Sequence, residues 1–100
     1  MALIDLKFSP AMAEAVLDGR KCCTSRRDLK GMPGDTFEID GKLFRIIDVS
    51  RERVADVALN FSRLEGFRSE DTCLEKLMEI YPDLGRRDFL YTHFFARCPE

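Results

Sequence analysis

The apolar residues of this 100-residue chain change their spacing several times, and each change predicts an element. In the first residues Ile4, Leu6 and Phe8 alternate with Asp5 and Lys7, the two-residue period of a half-buried strand over 2–8. Ser9 followed by Pro10 is a helix start, with a capping hydroxyl and a proline in the first helical position. The helix that follows is alanine-rich, places Met12, Ala15 and Val16 on one face, and is stopped by Gly19.

KCCTSR, residues 21–26, suits a short strand or an extended loop. Two glycines and a proline in residues 28–35 then predict a turn. DTFEI, Asp40-Gly41 and KLFRIIDV read as a β-hairpin. The strand after its turn is apolar on both faces, with Leu43, Ile47 and Val49 against Phe44 and Ile46, as expected of a central strand. Val54, Val57, Ala58, Phe61 and Leu64 have helical spacing over 54–66, with Gly66 as the C-cap. A second helix follows, with Ser69 or Asp71 as its cap, acids in its first turn, a stripe of Leu74, Leu77, Met78 and Tyr81, and Pro82 as its stop. Residues 88–98 are aromatic and β-prone, a final strand.

Strands joined by a hairpin and interrupted by helices predict an α+β fold rather than a parallel doubly wound sheet. A small, mostly antiparallel barrel flanked by about three helices would cover the aromatic last strand and hide the sheet edges. The length suits a single domain over residues 1–100, burying about 60–65% of its unfolded surface.

The formal charge of −2 gives no general affinity for nucleic acid. It hides a local split, because residues 20–30 carry a net charge of +4 and residues 65–83 a net charge of −4. No apolar stretch approaches the roughly 18–20 residues of a membrane span, and the N-terminus lacks a signal-peptide core. A cytoplasmic protein with reduced cysteines and no membrane partner is expected.

Four cysteines raise the question of a metal. Cys22 and Cys23 are adjacent, Cys73 and Cys98 stand alone, and His93 is the one histidine, so no metal-ligand spacing is present. On a strand, Cys22 and Cys23 would point to opposite faces. They read as burial-prone apolar residues, one of them facing the core, and neither a metal nor a cofactor is expected. Tyr91 and Phe95 are read as core aromatics ahead of base-stacking ones, and His93 as a packing residue.

GRKCCTSR, residues 19–26, resembles the G-x-K-x-x-T-x-R segment of ASCH domains, a branch of the PUA-like pseudo-barrels. Gly34-Asp35, then Glu65-Gly66-Phe67, then Ile80-Tyr81-Pro82 and the aromatic last strand follow in the family's order. The resemblance spans almost the whole chain and implies the PUA-like fold. It is similar in length to small bacterial members that remove the acetyl group from N4-acetylcytidine. In those the resemblance implies a catalytic set that falls on Lys21, Thr24 and Glu65, with Glu70 as the alternative carboxylate. The chemistry of amide cleavage then gives Thr24 as nucleophile or as the group that positions a water, Lys21 as base and Glu65 as proton relay or orienter. Arg20, Arg26 and Arg27 are the candidates for binding substrate or phosphate. Other members of the family imply a different role, a non-catalytic RNA-binding module with a basic groove of Arg20, Lys21, Arg26, Arg27 and Lys30. The resemblance thus implies an acylated pyrimidine nucleoside or RNA as partner. On a regular strand Lys21 and Thr24 point to opposite faces, so the catalytic reading requires the chain to bend near them.

Overall fold

A computed structural model of the chain describes residues 1–99. Its elements run α1 (Pro10–Leu17), β1 (Cys23–Arg26), β2 (Thr36–Ile39), β3 (Lys42–Arg53), α2 (Val54–Phe61), α3 (Glu70–Ile80) and β4 (Phe89–Arg97). The strands form one antiparallel sheet in the order β1-β4-β3-β2, curled into a half-barrel with the three helices around it. This is an α+β fold of the PUA-like pseudo-barrel type.

Local signals produce most of these elements. Ser9 Oγ accepts from the Met12 N–H and opens α1, and Ser69 Oγ does the same for α3 through Thr72. Asp40 and Gly41 both take positive φ, 48° and 76°, as the two-residue turn between β2 and β3 requires.

Two expectations are corrected. Residues 2–8 do not form a strand of the sheet; they make one parallel bridge, Leu3 to Thr36, beside β2. The alternation nevertheless gives the right face, because Leu6 is buried and Ile4 and Phe8 pack on the same core. An alternating pattern specifies which side is apolar, and Ser9-Pro10 turns the chain into α1 before a ladder can extend. The second correction concerns β3, which is central but buried on one face only. Leu43 and Ile47 are exposed, and the pairing with β4 slips between Ile46 and Asp48. Ile47 is the extra residue of a β-bulge, and past it Val49 takes up the inward position.

Two apolar clusters result. Leu6, Val16, Phe37, Phe44, Ile46 and Phe95 form one, with Phe37 stacked on Phe44 and edge-on to Phe95. Val54, Val57, Ala58, Cys73, Leu77 and Leu90 form the other, between α2, α3 and β4. Phe95 is thus a core residue.

Candidate functional site

The end of α2 builds the site. Helical turns continue past Phe61 and close at Gly66, where the Phe67 N–H bonds to the Ser62 carbonyl and the Gly66 N–H to that of Arg63. This is a Schellman cap with Gly66 in the left-handed region at φ 96°. Its last carbonyls need donors, and residues 21–23 provide them. Leu64 O accepts from both the Cys22 and Cys23 N–H groups, at 2.6 and 3.1 Å, and Glu65 O accepts from Lys21 Nζ at 2.8 Å. Successive N–H groups on a regular strand point opposite ways, so two of them on one carbonyl mark a break in strand geometry just ahead of β1.

Glu65 is placed by that cap, 3% exposed, with Lys21 Nζ 3.0 Å from its Oε1. An opposite charge and the cap carbonyl together compensate the buried ammonium. Ser25 Oγ lies 2.5 Å from the other carboxylate oxygen and 2.8 Å from Thr92 Oγ1. Thr24 belongs to a second set: its Oγ1 accepts from Arg26 Nε at 3.1 Å, while Arg26 also bonds the Lys7 carbonyl and lies over the Phe8 ring.

Both sets line a single open cavity of about 310 Å³, walled by Phe8, Phe67 and Tyr81 among others. Lys21, Thr24 and Glu65 therefore share one cavity, although Thr24 makes no hydrogen bond to the other two. Glu70 is exposed in the first turn of α3 and is not part of the wall.

The three arginines part company. Arg26 lines the cavity, and burial pulls its pKa below the ordinary guanidinium value. No carboxylate among the described residues forms an ion pair with it. Arg20 pairs with Asp18 at 2.8 Å and Arg27 with Asp83, both outside the cavity wall.

Below this wall sits His93, fully buried. Its Nε2 accepts from the Lys30 N–H at 3.0 Å, so the proton is on Nδ1, facing the Thr24 carbonyl at 3.2 Å. Both ring nitrogens are committed to backbone, and burial lowers the histidine pKa. Cys23 is buried in the same region and burial raises its thiol pKa, whereas Cys22 is half-buried. Among the described residues no three His, Cys, Asp or Glu side chains converge as metal ligands would.

Ser25 and Thr92 are the site residues that the sequence did not reveal. Ser25 and Lys21 both bond Glu65, and the pairing of Ser25 with Thr92 comes from the β1–β4 register.

No family model matches the sequence, and no curated protein matches it. Solved structures do share its fold. An ASCH domain from Lactobacillus crispatus JV V101 superposes with a TM-score of 0.71 at 16% identity, covering 96% of this chain and 79% of that one. A protein of family DUF984 from Enterococcus faecalis V583 gives a TM-score of 0.69 at 18% identity, covering 97% of this chain and 75% of that one. The chain has the fold of an ASCH domain.

Proposed function

We propose that this protein is a small amidohydrolase that removes an acyl group from the N4 amide of a modified cytidine, using Lys21, Thr24 and Glu65. Amide cleavage requires a hydroxyl to attack, a base to take its proton, donors for the oxyanion and an acid for the departing nitrogen. The observation that carries the reading is their supply around one cavity, which the Lys21–Glu65 ion pair, Thr24, Ser25 and Arg26 all line. Its volume of about 310 Å³ is at the small end for ligand pockets, about 300–1,000 Å³. Phe8, Phe67 and Tyr81 are apt for a planar pyrimidine.

RNA binding in a basic groove draws less from the same geometry. Lys21 is buried, and Arg20 and Arg27 are each held by an aspartate. Incubation of the purified protein with N4-acetylcytidine and with a longer N4-acyl analogue tests the proposal, with cytidine formation as the readout. Release of cytidine from at least one supports it. No release from either, together with RNA affinity that falls steeply with salt, favours the binding module.

A further inference from the structure

Two hydroxyl-bearing residues, Thr24 and Ser25, line the cavity, and their hydrogen bonds distinguish them. A carboxylate only accepts, so the Ser25 proton is directed at Glu65 Oε2, 2.5 Å away. Ser25 has one proton to give, so in its 2.8 Å contact with Thr92 it is the acceptor. Glu65 is in turn fixed through its other oxygen by Lys21 at 3.0 Å. A hydroxyl resting on a base that a third group orients is the arrangement of an activated nucleophile. Thr24 lacks it. Its oxygen accepts from Arg26, and no described group accepts its proton. Lys21, as an ammonium on Glu65, has no lone pair with which to do so.

From this we propose that Ser25 is the attacking nucleophile and Glu65 its base, with Thr24 donating to the oxyanion. The assignment rests on the amidohydrolase reading. Ser25 Oγ bonds to the acyl carbon while its proton passes to Glu65, and the carbonyl electron pair moves onto oxygen. Collapse of the intermediate breaks the C–N bond. Glu65 hands its proton to the departing N4, leaving the free cytidine amine and an acyl ester on Ser25. Water then attacks the ester carbon, giving one proton to Glu65. The ester C–O bond breaks, Glu65 returns the proton to Ser25, and the carboxylic acid product leaves. Throughout, Lys21 offsets the charge as Glu65 gains and loses its proton. Thr24, its oxygen held by Arg26, has its own hydrogen available for the oxyanion.

The test is acid quench during turnover of N4-acetylcytidine and of N4-benzoylcytidine, followed by peptide mass spectrometry with fragmentation between residues 24 and 25. The expected result is an acyl group on Ser25. Ser25→Ala should lose at least about 100-fold in kcat and form no adduct. Thr24→Ala should lose about 10²–10³-fold yet still acylate Ser25. Should Ser25→Ala fail to fold, Ser25→Cys takes its place and is expected to carry a thioester at residue 25. An acyl group on Thr24, a folded Ser25→Ala with turnover near that of the parent, or a Ser25→Cys that turns over without acylation at residue 25 overturns the assignment while leaving the activity standing. Failure of the unaltered protein to cleave either compound removes the reaction itself.

Discussion

Lys21 and Glu65, 44 positions apart in the sequence, meet as a buried ion pair 3.0 Å long, and the same lysine caps the glutamate's own carbonyl at 2.8 Å. One side chain thus closes the end of α2 and supplies the charge that lets a carboxylate sit beneath the cavity. Removing either partner leaves the other charge buried and uncompensated. Lys21→Met is expected to cost about 3–5 kcal/mol of stability. Denaturant unfolding measures this. A loss below about 1 kcal/mol, the range of an exposed pair, would show that the two groups are solvated.

Gly66 lets that meeting happen. At φ 96° it occupies the left-handed region, and a Cβ there would stand 3.3 Å from Lys21 Cβ. Gly66→Ala is expected to cost about 1–2 kcal/mol, read as a Tm drop of about 4–8 °C per kcal/mol. Gly85 is a suitable control. Its φ is outside the left-handed region and its nearest neighbour in the way is Asp88 Oδ2 at 3.7 Å, so Gly85→Ala should change Tm little. Equal Tm values for the two variants would contradict the role given to Gly66.

His93 should make stability fall on mild acidification. Burial lowers its pKa in the folded chain, with the nearby Arg26 adding to the effect and the Thr24 carbonyl and Glu65 opposing it. Between that lowered value and about 6.5, the unfolded chain binds the proton and the folded chain does not. Stability is therefore complete above about 6.5 and declines as pH drops toward the folded value. Protonation would also set an Nε2–H against the Lys30 N–H that it now accepts from. Asp35 and Asp83 are held below the ordinary carboxylate value, by backbone N–H groups and by Arg27 respectively, so their contributions are lost only at more acid pH. Melting curves between pH 5 and 8 should show the decline in the parent and a flatter profile in His93→Gln. Parallel profiles would rule out His93 as the source.

The thiols should separate by burial. Cys23 and Cys73 are buried, and burial pushes their pKa values up, that of Cys73 to about 12. Cys22 and Cys98 are partly exposed. Iodoacetamide at pH 8 should modify Cys22 and Cys98 in the folded protein and reach Cys23 and Cys73 only after unfolding. Rapid native labelling of Cys23 would mean that the sheet opens beside the candidate site.

What the sequence reveals of this architecture depends on how local the cause is. Ser9-Pro10, Asp40-Gly41, Ser69 and Gly66 act on backbone within a few residues of themselves, and each stands at its cap or turn. The pairing of residues 2–8 and the bulge at Ile47 depend on what lies alongside, which alternation does not encode. The candidate site divides in the same way. Lys21, Thr24 and Glu65 are legible only through resemblance to a family motif, since no spacing rule links positions 21 and 65. Ser25 reads as an ordinary strand residue until the register of β1 against β4 sets it opposite Thr92. The requirement for a bend near Lys21 is visible in the sequence as a parity problem. Its solution, two N–H groups on the Leu64 carbonyl, depends on the end of a helix some forty residues further on.

Cytidine release from N4-acetylcytidine, measured side by side for the parent and for folded Lys21→Ala and Thr24→Ala, addresses the central claim most directly. The parent should turn over, and Lys21→Ala should lose about 10²–10⁴-fold and Thr24→Ala about 10²–10³-fold in rate, each melting as a folded protein. Equal turnover by all three would separate the reaction from this cavity.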